Sequence, residues 1–119
     1  MLVVEDHPDL RELERFWLER AGAVVREASD GVEALVVLAA RPPPDVIVCD
    51  LHMPVMDGGT FVARLREDAR YRHIPVIALT GSATNRALIE TLEAGFSAHL
   101  VKPVTDETLR AQIHRVLVR

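Results

Sequence analysis

Four short, largely apolar runs each stop at residues that carry chemistry, and no other feature of the chain constrains its fold as tightly. Leu2-Val3-Val4 leads into Glu5 and Asp6, Val46-Ile47-Val48-Cys49 into Asp50, Val76-Ile77-Ala78-Leu79 into Thr80, and Ala98-His99-Leu100-Val101 into Lys102. Strands of a parallel sheet covered by helices on both faces are buried on both sides, so they read as continuous rather than alternating apolar stretches. Ligands of such sheets bind beyond the carboxyl ends of the strands. If the four runs lie parallel, three carboxylates, a hydroxyl and an ammonium meet on one rim. Carboxylates crowded in this way repel one another, and a hard cation among them, Mg2+ first, removes the conflict.

The intervening segments have helical period. Leu10, Leu13 and Trp17 share a face after Pro8, which suits a first helical turn, and Gly22 supplies a stop. Val24 and Val25 read as a short second strand. Asp30-Gly31 opens a helix carrying Val32, Leu35, Val36 and Ala39, which Arg41-Pro42-Pro43-Pro44 ends, because consecutive prolines remove backbone donors. Phe61, Leu65 and Ala69 mark a third helix after Gly58, and Leu88, Ile89 and Leu92 mark a fourth, closed at Gly95. The last begins near Asp106 and carries Leu109, Ile113, Val116 and Leu117. Such alternation implies right-handed crossovers and an α/β sandwich of five strands and five helices.

Bulk properties narrow the function. A chain of 119 residues is expected to be one domain spanning 1–119. With a formal net charge of −4 and no basic stripe, direct nucleic-acid binding is not expected. The apolar runs fall far short of the ~20 residues needed to cross a bilayer, so no membrane insertion is expected. Glu5 and Asp6 break the apolar stretch that a signal peptide requires. The lone Cys49 cannot form an internal disulfide and suits the cytoplasm.

Four segments, in order and at these separations, resemble the receiver domain of two-component response regulators (CheY-like). They are Val4-Glu5-Asp6-His7-Pro8, Cys49-Asp50-Leu51-His52-Met53-Pro54-Val55-Met56-Asp57-Gly58, Ala78-Leu79-Thr80-Gly81 and Val101-Lys102-Pro103. The resemblance covers nearly the whole chain. It implies a flavodoxin-like parallel sheet of order 2-1-3-4-5, which places the first and third strands side by side at the switch point. It also implies that Asp50 accepts a phosphoryl group from a histidine kinase or histidine phosphotransfer protein. Mg2+ would then be held by Asp6, Asp50 and the backbone carbonyl of His52, with Glu5 acting through water. Lys102 and Thr80 would face the phosphoryl oxygens, and Pro103 would follow a cis peptide. The downstream partner would meet the fourth helix, fifth strand and fifth helix.

Departures from the family pattern bear on output and lifetime. His99 stands where many receivers place a switching aromatic residue, and Val104 stands where Phe is common. His52 and Ser82 occupy the places that flank attacking water, so they are expected to tune dephosphorylation. Each residue also has a plainer reading: Asp50 as a turn cap, Glu5 and Asp6 as helix caps, Thr80 and His99 as strand residues, Lys102 and His52 as solvated side chains. A Mg2+-dependent phosphatase of the haloacid-dehalogenase type would share much of this set. It would, however, carry a second acid where His52 stands, and no cap domain is present. A degenerate receiver serving only as a binding module would lack part of the set. The Met53–Gly58 and Ala98–Val104 segments look like receivers attached to hybrid histidine kinases, with a free single-domain regulator nearly as compatible.

Overall fold

The computed structural model describes residues 1–118; Arg119, the last residue of the expected domain, lies outside the described residues. Strands and helices alternate as β1 (Leu2–Val4), α1 (Pro8–Arg20), β2 (Arg26–Ala28), α2 (Gly31–Ala40), β3 (Ile47–Asp50), α3 (Gly58–Glu67), β4 (Val76–Thr80), α4 (Asn85–Ala94), β5 (Ala98–Val101) and α5 (Asp106–Leu117). All strand pairs are parallel and the order is β2-β1-β3-β4-β5. The expected sheet is therefore the observed one.

Successive strand residues point to opposite faces, and both faces of the central strands β1, β3 and β4 are buried. Leu2, Val4, Ile47, Cys49, Val76 and Ala78 pack against Ala34 and Leu38 of α2 and Phe61, Val62 and Leu65 of α3. Val3, Val48, Ile77 and Leu79 meet Leu18 of α1 and Leu109, Ile113 and Val116 of α5. Each such side chain contributes about 1.5–3 kcal/mol when fully buried, which explains the uninterrupted apolar runs. Helix starts are fixed by caps: the side chains of Asp30, Asp57, Thr84 and Thr105 accept from Glu33, Thr60, Ala87 and Thr108 backbone N–H groups.

Several expectations shift. The second strand is Arg26–Ala28, not Val24 and Val25; Val24 is 84% exposed, whereas Arg26 pairs with Leu2. As an edge strand, β2 tolerates charge, and Arg26 donates to the carbonyls of Val37 (3.3 Å) and Pro42 (2.8 Å). Along α1 the fully buried side chains are Glu14 and Leu18, while Leu10 and Leu13 are exposed. Along α2 the inward residues are Ala34 and Leu38, with Val32 and Val36 exposed. Leu88, Ile89 and Leu92 form an exposed apolar face of α4, Leu117 is exposed, and Ala69 falls beyond α3.

Candidate functional site

The C-terminal ends of β1, β3, β4 and β5 deliver the rim residues. After Val4 the chain stays in contact with β2 through Glu5 N–H donating to Ala28 O at 3.0 Å, and the Glu5 side chain is wholly buried. Asp6 follows and is exposed. His7 caps α1, so the acidic pair sits where strand turns to helix. Asp50, the last residue of β3, is 5% exposed. Its loop is pinned by Leu51 N–H to Leu79 O and Gly58 N–H to Leu51 O, both 3.0 Å. Gly58 is required there: a Cβ would stand 2.6 Å from the Asp50 carbonyl oxygen. In the same loop Val55 adopts φ 67° while Met56 N–H donates to Pro54 O at 2.7 Å, a tight turn in a region that β-branched residues avoid.

Oxygens of Glu5, Asp6 and Asp50 lie within 4.8 Å of one another. Lys102 Nζ stands 3.1 Å from Asp50 Oδ2 and 3.4 Å from Glu5 Oε1. The Lys102 N–H donates to Thr80 O at 2.7 Å, and the Lys102-Pro103 peptide is cis. Burial first, and then hydrogen bonding and charge repulsion from Asp50, push the Glu5 carboxyl up to about 7. Burial works to lower the Lys102 ammonium, but Asp50 and then Glu5 outweigh it and raise it. A crowded all-oxygen set beside one ammonium suits a hard, oxygen-seeking cation such as Mg2+.

Thr80 is 1% exposed, and its Oγ1 accepts from Ser82 N–H at 3.2 Å. His52 N–H faces Asp50 Oδ1 at 3.4 Å. His52, Thr80 and Ser82 line one cleft of about 420 Å3 against α4. The rim thus gathers Glu5, Asp6, Asp50 and Lys102 into one cluster and opens Thr80, His52 and Ser82 onto the adjoining cleft. His99 lies on β5, one strand outward, with Nδ1 3.4 Å from Thr91 Oγ1. Because the Thr91 hydroxyl donates to Ala87 O at 2.8 Å, its oxygen accepts and His99 Nδ1 is the donor. Glu14 escaped the sequence; its only signal was a carboxylate four residues before the buried Leu18.

Residues 1–114 match the family described as response regulator receiver domain. The chain is 36% identical over 118 residues to the chemotaxis protein CheY1 of Helicobacter pylori, covering 98% of this chain and 95% of that protein. Among solved structures, the chemotaxis response regulator CheY4 of Vibrio cholerae superposes with a TM-score of 0.91 at 36% identity, covering 98% of this chain and 96% of that one. The receiver domain of sensor histidine kinase PA1611 from Pseudomonas aeruginosa, with a magnesium ion coordinated in its active-site cleft, gives 0.89 at 29% identity over 99% and 96%.

Proposed function

The chain belongs to the response regulator receiver domain family, a module of two-component signalling, and from that premise we propose that residues 1–119 act as one cytoplasmic receiver whose Asp50 accepts a phosphoryl group. The donor is the phosphohistidine of a histidine kinase or phosphotransfer protein. An Asp50 carboxylate oxygen forms the new P–O bond as the P–N bond to the donor breaks, and the released imidazole takes up a proton. The product is an acyl phosphate.

Phosphoryl transfer asks the protein chiefly for in-line placement and charge compensation. Asp6, Asp50 and the His52 backbone carbonyl would hold Mg2+, with Glu5 reaching it through water, as the ion keeps much of its hydration. Bound there, it would supply positive charge against the phosphoryl oxygens. Lys102 adds a point charge and Thr80 a hydroxyl donor. His52 and Ser82, on the cleft beside them, set the access of water and hence the lifetime of the acyl phosphate. The observation that carries this reading is the 3.1 Å contact between Lys102 Nζ and Asp50 Oδ2 beside the three clustered carboxylates.

The added charge draws Thr80 and Lys102 inward and biases α4, β5 and α5 toward a second arrangement. Exposed Leu88, Ile89 and Leu92 on α4 supply apolar surface for a downstream protein. The net charge of −4 gives no support to direct nucleic-acid binding, and no described helix is long and apolar enough to cross a membrane. The module is a signalling receiver that assists its own phosphorylation and slow dephosphorylation. Incubation with acetyl phosphate and Mg2+, followed by intact mass measurement, tests it. One Mg2+-dependent phosphate per chain, lost in Asp50→Asn, is expected; repeated turnover of small phosphate esters would instead indicate a phosphatase.

A further inference from the structure

Glu14 is a carboxyl group in a place built for a hydrocarbon. It is 3% exposed, and its Oε1 is buried without a hydrogen-bond partner among the described residues. An orphaned buried acceptor costs about 1–3 kcal/mol, which a leucine of similar size would avoid. Burial first, then the charge of Glu5, push this carboxyl up to about 8, while Lys102 acts in the opposite sense. The group is therefore within electrostatic reach of the rim. Glu14 and Lys102 also line one groove of about 290 Å3, walled by Leu13, Trp17, Pro103 and Val104.

Lys102 has three N–H donors. Asp50 Oδ2 and Glu5 Oε1 take two of them, leaving one uncommitted among the described residues. The same two carboxyls belong to the cluster that suits a divalent cation, and an ammonium close to such a cation is repelled by it. The lysine side chain is long and 29% exposed, so it can turn without disturbing the sheet.

Resting on the receiver chemistry above, we propose that Glu14 is a positioning residue: its unpartnered Oε1 receives the Lys102 ammonium when a cation takes over the Glu5 and Asp50 oxygens. The lysine is thereby kept at the rim, in place for the phosphoryl oxygens, instead of swinging into solvent. Only the acceptor oxygen matters, so the neutral acid serves and no charge on Glu14 is needed. The step is a side-chain rotation in which no covalent bond changes.

The test is a Mg2+ titration near neutral pH of the parent, Glu14→Gln and Glu14→Leu, each with 15N-labelled lysine. The Lys102 ammonium signal is identified by its loss in Lys102→Arg. Parent and Glu14→Gln, which keeps an acceptor oxygen, are expected to move to a second sharp position as Mg2+ binds. Glu14→Leu is expected to show no second position and to bind Mg2+ about threefold more weakly, the ~0.7 kcal/mol of one lost hydrogen bond. If Glu14→Leu fails to fold, Glu14→Met carries the same comparison. A Leu or Met variant with the parent's signal and affinity overturns the role of Glu14 alone. A parent that binds no Mg2+ overturns the receiver chemistry and this inference together.

Discussion

Two acids of the interior make stability depend on pH in an unusual direction. The Glu14 carboxyl is held near 8 and that of Glu5 near 7 in the folded chain, against an ordinary value of 4.5. The native state thus binds more protons than the unfolded one between these limits. Their contribution is fully present below about pH 4.5 and is lost as pH rises through 7 and 8. Urea titrations should show stability falling by several kcal/mol from about pH 5 to about pH 9. Glu14→Leu should flatten the upper part of that fall and raise stability at the alkaline end by about 1–3 kcal/mol, as the orphan acceptor disappears. A parent curve as flat as that of the variant would contradict the burial assigned to Glu14. His52→Ala should change the rate of phosphate release from the phosphorylated chain; equal rates across neutral pH would remove its assigned role.

The loop from β3 to α3 is the element that fixes Asp50. Gly58→Ala would push a methyl group against the Asp50 carbonyl, since the Cβ would stand 2.6 Å away. We expect a loss of about 1–3 kcal/mol, as for other overpacked sites, read as a lower urea midpoint with displaced NMR signals at Asp50. Strand tips were legible because a doubly covered parallel strand must be apolar throughout, so Asp50 stands out at the end of its run, while Lys102 is marked by the Pro103 that follows it. Thr80 was legible for the same reason, being the first hydroxyl after Val76-Ile77-Ala78-Leu79. Inward helix faces were less so. α2 is apolar nearly all round, and its period could not decide between Ala34 with Leu38 and Val32 with Val36. β2 was misplaced because Val24 and Val25 have the composition of a strand, whereas pairing with Leu2 selects Arg26. No periodic rule marks an edge strand that carries charge. The His99 to Thr91 contact was also invisible, because it depends on how α4 lies against β5.

At the scale of the molecule, the proposed Mg2+ site would couple cation binding to folding through the rim. Glu5, Asp6 and Asp50 come from two strands that only the folded sheet brings together, so Mg2+ at a hundredfold excess over its Kd should stabilise the chain by about 2.7 kcal/mol. Differential scanning calorimetry should show a rise in Tm that Asp50→Asn largely removes. An equal rise in both proteins would locate the ion elsewhere. The sheet has two borders, and the one at β2 carries charge. Arg26 commits its guanidinium to the carbonyls of Val37 and Pro42, so a foreign strand zipping onto β2 would have to settle beside the charged side chains of Arg26 and Glu27. Lengthening of the sheet by stacking of copies, the route by which naked strands seed fibrils, is thereby discouraged on that side.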